Sequence, residues 1–178
     1  MFGKALHGSL AAAVMCAVVC GMPAFACGGA GDLAEKERII DTVNTLFVST
    51  DNRDWGAVKA CFADEVLFDM TSMAGGSPAK LKPGDIADMW DKGLKPLKAV
   101  HHQAGNYRVT LKGGGADVFC YGIALHWLPN PTNVNVRAFV GSYDFHLVQS
   151  GAAWKIDKFK FNLKFIEGNK DLEKAARP

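Results

Sequence analysis

"GSYDFHLVQSGAAWKI", residues 141–156, decides the fold. Apolar and polar residues alternate through Tyr143, Phe145 and Leu147, the chain turns at Gly151, and "WKI" resumes the alternation. A strand, a tight turn and a second strand make an antiparallel hairpin. The period of two extends outward on both sides, predicting strands over 100–112, 116–128, 134–148 and 154–165. The breaks between them, Gly113-Gly114-Gly115, "PNPTN" and "QSGAA", are turn chemistry. Short links between long strands make an antiparallel meander. One irregularity stands out. Trp154 and Ile156 have one parity, whereas Phe159, Phe161, Leu163 and Phe165 have the other. Either both faces are covered, or an extra residue near Asp157–Lys158 bulges the strand and bends the sheet.

Before residue 100 the period is helical. "LAEKERIIDTVNTLFVSTD" sets Ile39, Ile40, Val43, Leu46 and Phe47 on one face. Asp54 can cap a short helix in which Trp55, Val58 and Phe62 share a side. "EVLFDMT" reads as a short strand, "SMAGGSPAKLKPG" as a loop that serves as lid or rim, and "DIADMWDKGL" as a third helix through Ile86, Met89 and Trp90. Helices followed by a meander predict an α+β domain, with the helices packed on one face of a curved sheet.

The 178 residues are 49% hydrophobic with a formal charge of +2, one domain's worth of chain without a basic stripe for nucleic acid. Residues 1–26 read as a signal peptide: an apolar run too short to span a membrane ends in the small-x-small pattern Ala24-Phe25-Ala26. A buried helix is the alternative. The expected location is periplasmic or secreted, with no membrane attachment unless Cys27 is lipidated. Residues 27–32 then form a flexible lead-in, 33–168 the domain and 169–178 a C-terminal tail. Cys61 and Cys120 form a bridge or remain two buried thiols, and no CxxC pair suggests zinc or redox work.

Strand 116–128 carries the pocket signal. One face, from Ala116 through Val118, Cys120, Gly122 and Ala124 to His126, is small almost throughout, so it either meets large side chains or lines a hollow. The other face, with Phe119, Tyr121, Ile123, Leu125 and Trp127, is bulky and apolar, which predicts a homodimer through the outer face of the sheet. Asp51 falls near the buried stripe of the first helix, at the end where a carboxylate opposes the macrodipole. It is a buried acid in need of a partner, or it simply forms a turn with Asn52.

Across residues 33–166 the chain resembles the SnoaL-like branch of the nuclear transport factor 2-like superfamily, on the order of its elements and on "TDNRDW", "FADEVLFDM", "HHQAGN" and "GSYDFHLVQSGAAWKI". The resemblance implies a cone: a curved antiparallel sheet around three N-terminal helices, with a mostly apolar internal pocket. Relatives include scytalone dehydratase, the lindane dehydrochlorinase and polyketide cyclases. In the first two an Asp at the end of the first helix orients a His that removes a proton from carbon. Those residues match Asp51 and His102, and a second His of scytalone dehydratase matches His126. That enzyme's two pocket tyrosines fall on Thr50 and Met70, which argues against scytalone dehydration here.

Adjacent strand residues face opposite ways. Parity with Val109 and Leu111 turns His101 inward, while the resemblance turns His102 inward, and a bulge around Ala104-Gly105 reconciles the two. The expected catalytic set is Asp51, His102 and His126, with His101, Met70, Trp90, Phe139 and Tyr143 about the substrate. His126 or Tyr143 serves as proton donor or orients a substrate oxygen, and Met70, Trp90 and Phe139 are apolar walls. This site suits elimination, isomerisation or aldol-type cyclisation of a small hydrophobic molecule without a cofactor. The rival reading is a non-catalytic ligand-binding or interaction module. A metal held by Asp51, His102 and His126 has no HExxH-type spacing behind it, and no GxSxG elbow supports a serine nucleophile.

Overall fold

A computed structural model describes residues 29–175. The expected signal peptide and Cys27 lie outside them. Helix α1 (Ala30–Asp51) buries Ile39, Val43, Leu46 and Phe47 on one stripe. It begins inside the stretch expected to be a flexible lead-in. α1 ends where Arg53 takes a left-handed backbone (φ 55°) and the Asp54 amide returns to the Ser49 carbonyl, 2.8 Å. Asp54 then caps α2 (Trp55–Ala60) by accepting from the Ala57 amide at 3.0 Å, an arrangement typically contributing about 1 kcal/mol. Phe62, expected on that helix, instead opens strand β1 (Phe62–Asp69).

The expected loop contains a one-turn helix, α3 (Thr71–Ala74), and a short strand, β2 (Ala79–Leu81). Then come α4 (Pro83–Leu94) and the long strands β3 (Ala99–Lys112), β4 (Gly115–Trp127), β5 (Val136–Ser150) and β6 (Ala153–Gly168). The order across the sheet is β2-β1-β6-β5-β4-β3. β3 to β6 form the expected antiparallel meander, but β1 joins β6 in parallel, so the sheet is mixed and open rather than wholly antiparallel. The parallel pairing is compatible with the path, because α3, β2, α4 and the strands β3 to β5 all intervene before β6 reaches β1.

Three bulges shape the meander. On β6, Lys158 faces His146 while Ile156 faces Leu147, leaving Asp157 as the extra residue. Trp154, Ile156, Phe159 and Phe161 consequently all face the core. On β3, Gly105 pairs with Tyr121 and Arg108 with Phe119, with Asn106 in the left-handed region (φ 58°). A second extra residue on β6, Lys164, turns Phe165 to the outer face, where it is exposed. Phe165 shares the sequence parity of Phe159, Phe161 and Leu163, and this second extra residue is what separates it from them.

The C-terminal stretch is no tail throughout. Gly168 (φ 82°) turns the chain into α5 (Leu172–Ala175), and Leu172 is fully buried among Leu94, Leu97, Val100 and Leu128. Cys61 and Cys120 are both free thiols, raised to about 11 and about 12 by burial.

Candidate active site

Register places the site. Across β3, β4 and β5, His102 pairs with Ala124 and Ala124 with Phe139. The next inward row runs Val100, His126, Arg137. Both rows face the helices, and the row between them, with His101 and Leu125, faces out. The β3 bulge settles the parity conflict, because it keeps Tyr107, Val109 and Leu111 packed on the core as well as His102. His101 is the correction: its side chain is 65% exposed, 3.9 Å from Asp51, and does not line the cavity.

Asp51, on the last turn of α1, holds His102 twice. Its Oδ2 accepts the His102 backbone amide at 2.8 Å, and its Oδ1 accepts Nδ1–H at 2.6 Å. A carboxylate only accepts, so the proton lies on Nδ1 and the lone pair on Nε2. These two donors offset the unfavourable placement of an acid at a helix C-terminus. The Phe47 ring stacks on the imidazole, 5.3 Å between centroids and 17° from parallel. His102 Nε2 has no hydrogen bond among the described residues.

The open side of His102 belongs to a cavity of about 370 Å³, within the range of small-molecule sites. Met70, Trp90 and Phe139, expected as walls, all line it, as do Tyr143 and His126, expected as donors to the substrate. The small face of β4 is only in part a floor: Ala116, Val118 and Cys120 are packed into the core, and Ala124 with His126 reaches the cavity. At Gly122 the Tyr143 ring lies flat against the strand, where a Cβ would overlap it. Burial holds the Tyr143 phenol well above its ordinary range. Met73 of α3 and Met89 of α4 are partly exposed and line the cavity from the helical side. The Ser72 hydroxyl pins α3 to β6 by donating to the Phe161 carbonyl at 2.6 Å.

Sequence reasoning missed Arg137. Its Nη1 and Nη2 grip Glu173 of α5 at 2.8 and 2.5 Å, and Nη2 lies 3.1 Å from His126 Nδ1. Arginine only donates, so His126 Nδ1 accepts and Nε2 carries the hydrogen. Burial, then the Arg137 charge, lowers the His126 pKa to about 4. His126 is therefore a neutral hydrogen-bond donor rather than an acid poised to lose a proton. The missing signal was the register across the loop between β4 and β5, which sets His126 opposite Arg137. Among the described residues no three His, Cys, Asp or Glu side chains are grouped as a metal site.

A family model described as a SnoaL-like domain matches residues 31–160. The chain belongs to the SnoaL-like domain family. No curated protein matches this SnoaL-like chain. Among solved structures it is similar to the Kfla4162 protein from Kribbella flavida, with 21% identity, a TM-score of 0.76, and coverage of 81% of this chain and 99% of that one. A candidate scytalone dehydratase from Novosphingobium aromaticivorans has 16% identity and a TM-score of 0.65, covering 83% and 94%. The hexachlorocyclohexane dehydrochlorinase LinA-type3 from Novosphingobium barchaimii has 15% identity and a TM-score of 0.65, covering 78% and 92%. At these identities the likeness establishes the fold, and the chemistry of this SnoaL-like domain has to be argued from its own residues.

Proposed function

We propose that the cavity takes up a small hydrophobic molecule and that His102, oriented by Asp51, acts on it as a general base without a cofactor. The reaction class is elimination, isomerisation or aldol-type cyclisation, each beginning with removal of a proton from carbon. The observation that carries the reading is the 2.6 Å contact between Asp51 and His102 Nδ1, which leaves Nε2 unpaired at an apolar cavity. Positioned general bases contribute about 10²–10⁴-fold. The test is solvent-deuterium incorporation into small apolar carbon acids, with 2-tetralone as the probe. Exchange catalysed by the wild type and lost in Asp51→Asn and His102→Ala supports the reading. Exchange that survives both substitutions overturns the Asp51–His102 base, and binding with no exchange at all replaces it with a ligand-binding module.

Two further elements belong to this reading. A second copy of the chain covers the outer face of the sheet, where Tyr121, Ile123, Trp127, Val136 and Phe165 are partly exposed together. Sedimentation of wild type against Ile123→Lys decides it, and a monomer at micromolar wild-type concentration ends it. The proposed setting is the periplasm or the cell exterior, on the strength of the apolar run ending at Ala24-Phe25-Ala26. Mass spectrometry of the chain from its own cells should find residues 1–26 removed.

A further inference from the structure

Beyond the Asp51–His102 pair, the cavity has donors that the fold leaves unused. His126 Nε2 and the Tyr143 hydroxyl have no hydrogen bond among the described residues, and both residues line the cavity. Arg137 Nε is buried without a partner, on a side chain that also lines the cavity and is only 14% exposed. An unsatisfied buried donor is costly, and in native proteins it usually has a partner in ligand or solvent. The guanidinium is otherwise fully committed: Glu173 takes two of its nitrogens, His126 shares one of them, and the Phe139 ring lies 5.1 Å away.

We infer that Arg137, clamped by Glu173 of α5, is a positioning residue that holds His126 as an Nε2–H donor and forms with it a subsite for an acceptor oxygen on a neutral ligand. The inference rests on the proposed pocket and names the polar end of its occupant. Charge selects the class. Arg137 is offset by Glu173, and Asp51 adds a negative charge near enough to act on His126. With His126 uncharged, and His102 in the uncharged form that a general base requires, the surroundings carry a net negative charge, which disfavours a carboxylate and favours a carbonyl or ether oxygen on an apolar frame. The same two rows of the sheet therefore hold an acceptor nitrogen at His102 and a donor nitrogen at His126, set by opposite charges on their Nδ1 sides.

The experiment compares binding of 2-tetralone, tetralin and tetralin-2-carboxylate by titration calorimetry, alongside ¹H–¹⁵N spectra of the His126 ring. The wild type should prefer the ketone to the hydrocarbon and reject the carboxylate. Arg137→Met should reduce the ketone-to-hydrocarbon preference about fivefold, one hydrogen bond's worth. In the wild-type spectra His126 should carry its proton on Nε2, and in Arg137→Met this tautomer should no longer be exclusive and the ring should titrate at higher pH. The charged groups acting on it are Arg137, His102, Glu173 and Asp51. Glu173→Gln, which keeps the guanidinium and loosens it, should lie between the two and serves if Arg137→Met does not fold. Equal preference in wild type and variants, tighter binding of the carboxylate, or a wild-type ring protonated on Nδ1 overturns the subsite while leaving the base untouched. Binding of none of the three probes removes the pocket reading and the subsite together.

Discussion

His102 and His126 lie on one face of one sheet, on neighbouring strands, and they are different chemical objects. His102 has a carboxylate behind its Nδ1, and His126 has a guanidinium there. An acceptor forces the proton onto Nδ1 and frees a lone pair, while a donor forces it away and frees an N–H. Sequence gives two identical letters. The function of an imidazole is decided by what stands behind it.

The largest way to break this contrast is to change the carboxylate. Asp51→Asn can present its amide N–H to Nδ1 and reverse the tautomer, so deuterium exchange should fall by about 10²–10⁴-fold while tetralone binding is kept. Exchange within a factor of a few of wild type would end the claim that Asp51 matters to chemistry.

The second test uses acid. His126 has a folded pKa of about 4 against an ordinary 6.5, so between those values the unfolded chain binds more protons. Its contribution to stability is present above about pH 6.5 and is lost as pH falls towards 4. The loss is on the order of 3 kcal/mol by linkage. Urea unfolding from pH 7 to pH 4 should show it, and His126→Gln should flatten that part of the slope. The lowered carboxylates Asp69 and Glu173 fail in the same direction, but around and below pH 4, so they do not mimic the variant.

Gly122→Ala probes the floor between the two histidine strands and the Tyr143 ring. The added Cβ would overlap that ring. We expect a loss of about 1–3 kcal/mol from overpacking and weaker ligand binding as Tyr143 is pushed aside. Unchanged melting and binding would mean that the ring has room to move.

The smallest effect is the control. His101 is adjacent to the base in sequence, exposed, and beyond hydrogen-bond reach of Asp51. His101→Ala should alter stability by less than about 0.5 kcal/mol and leave exchange intact. A large loss of exchange would move the base assignment.

Legibility differed sharply between the two histidines. Parity with Val109 favoured His101 and the family resemblance His102, a conflict that predicted a bulge around Ala104-Gly105. The extra residue lies just beyond, between Gly105 and Arg108, where Asn106 is left-handed. The parity change after Ile156 predicted another, and Asp157 supplies that one. Asp51 was conspicuous because a carboxylate near a buried stripe at a helix C-terminus needs a partner. Arg137 and Glu173 gave no such sign, since an arginine opening a strand and a glutamate near the chain end look like ordinary surface charges.

The sequence by itself determined the meander, the leading helices, the small inner face of β4 and the candidacy of Asp51, because period, parity and turn chemistry are local properties of a chain, whereas His102 was singled out by the family resemblance against a parity that favoured His101. Only tertiary structure decided which histidine faces inward, that β1 lies parallel to β6, that Phe165 turns out, and that α5 brings Glu173 to Arg137. Each of those depends on register or on the meeting of distant segments, and a one-residue shift in either reverses the answer.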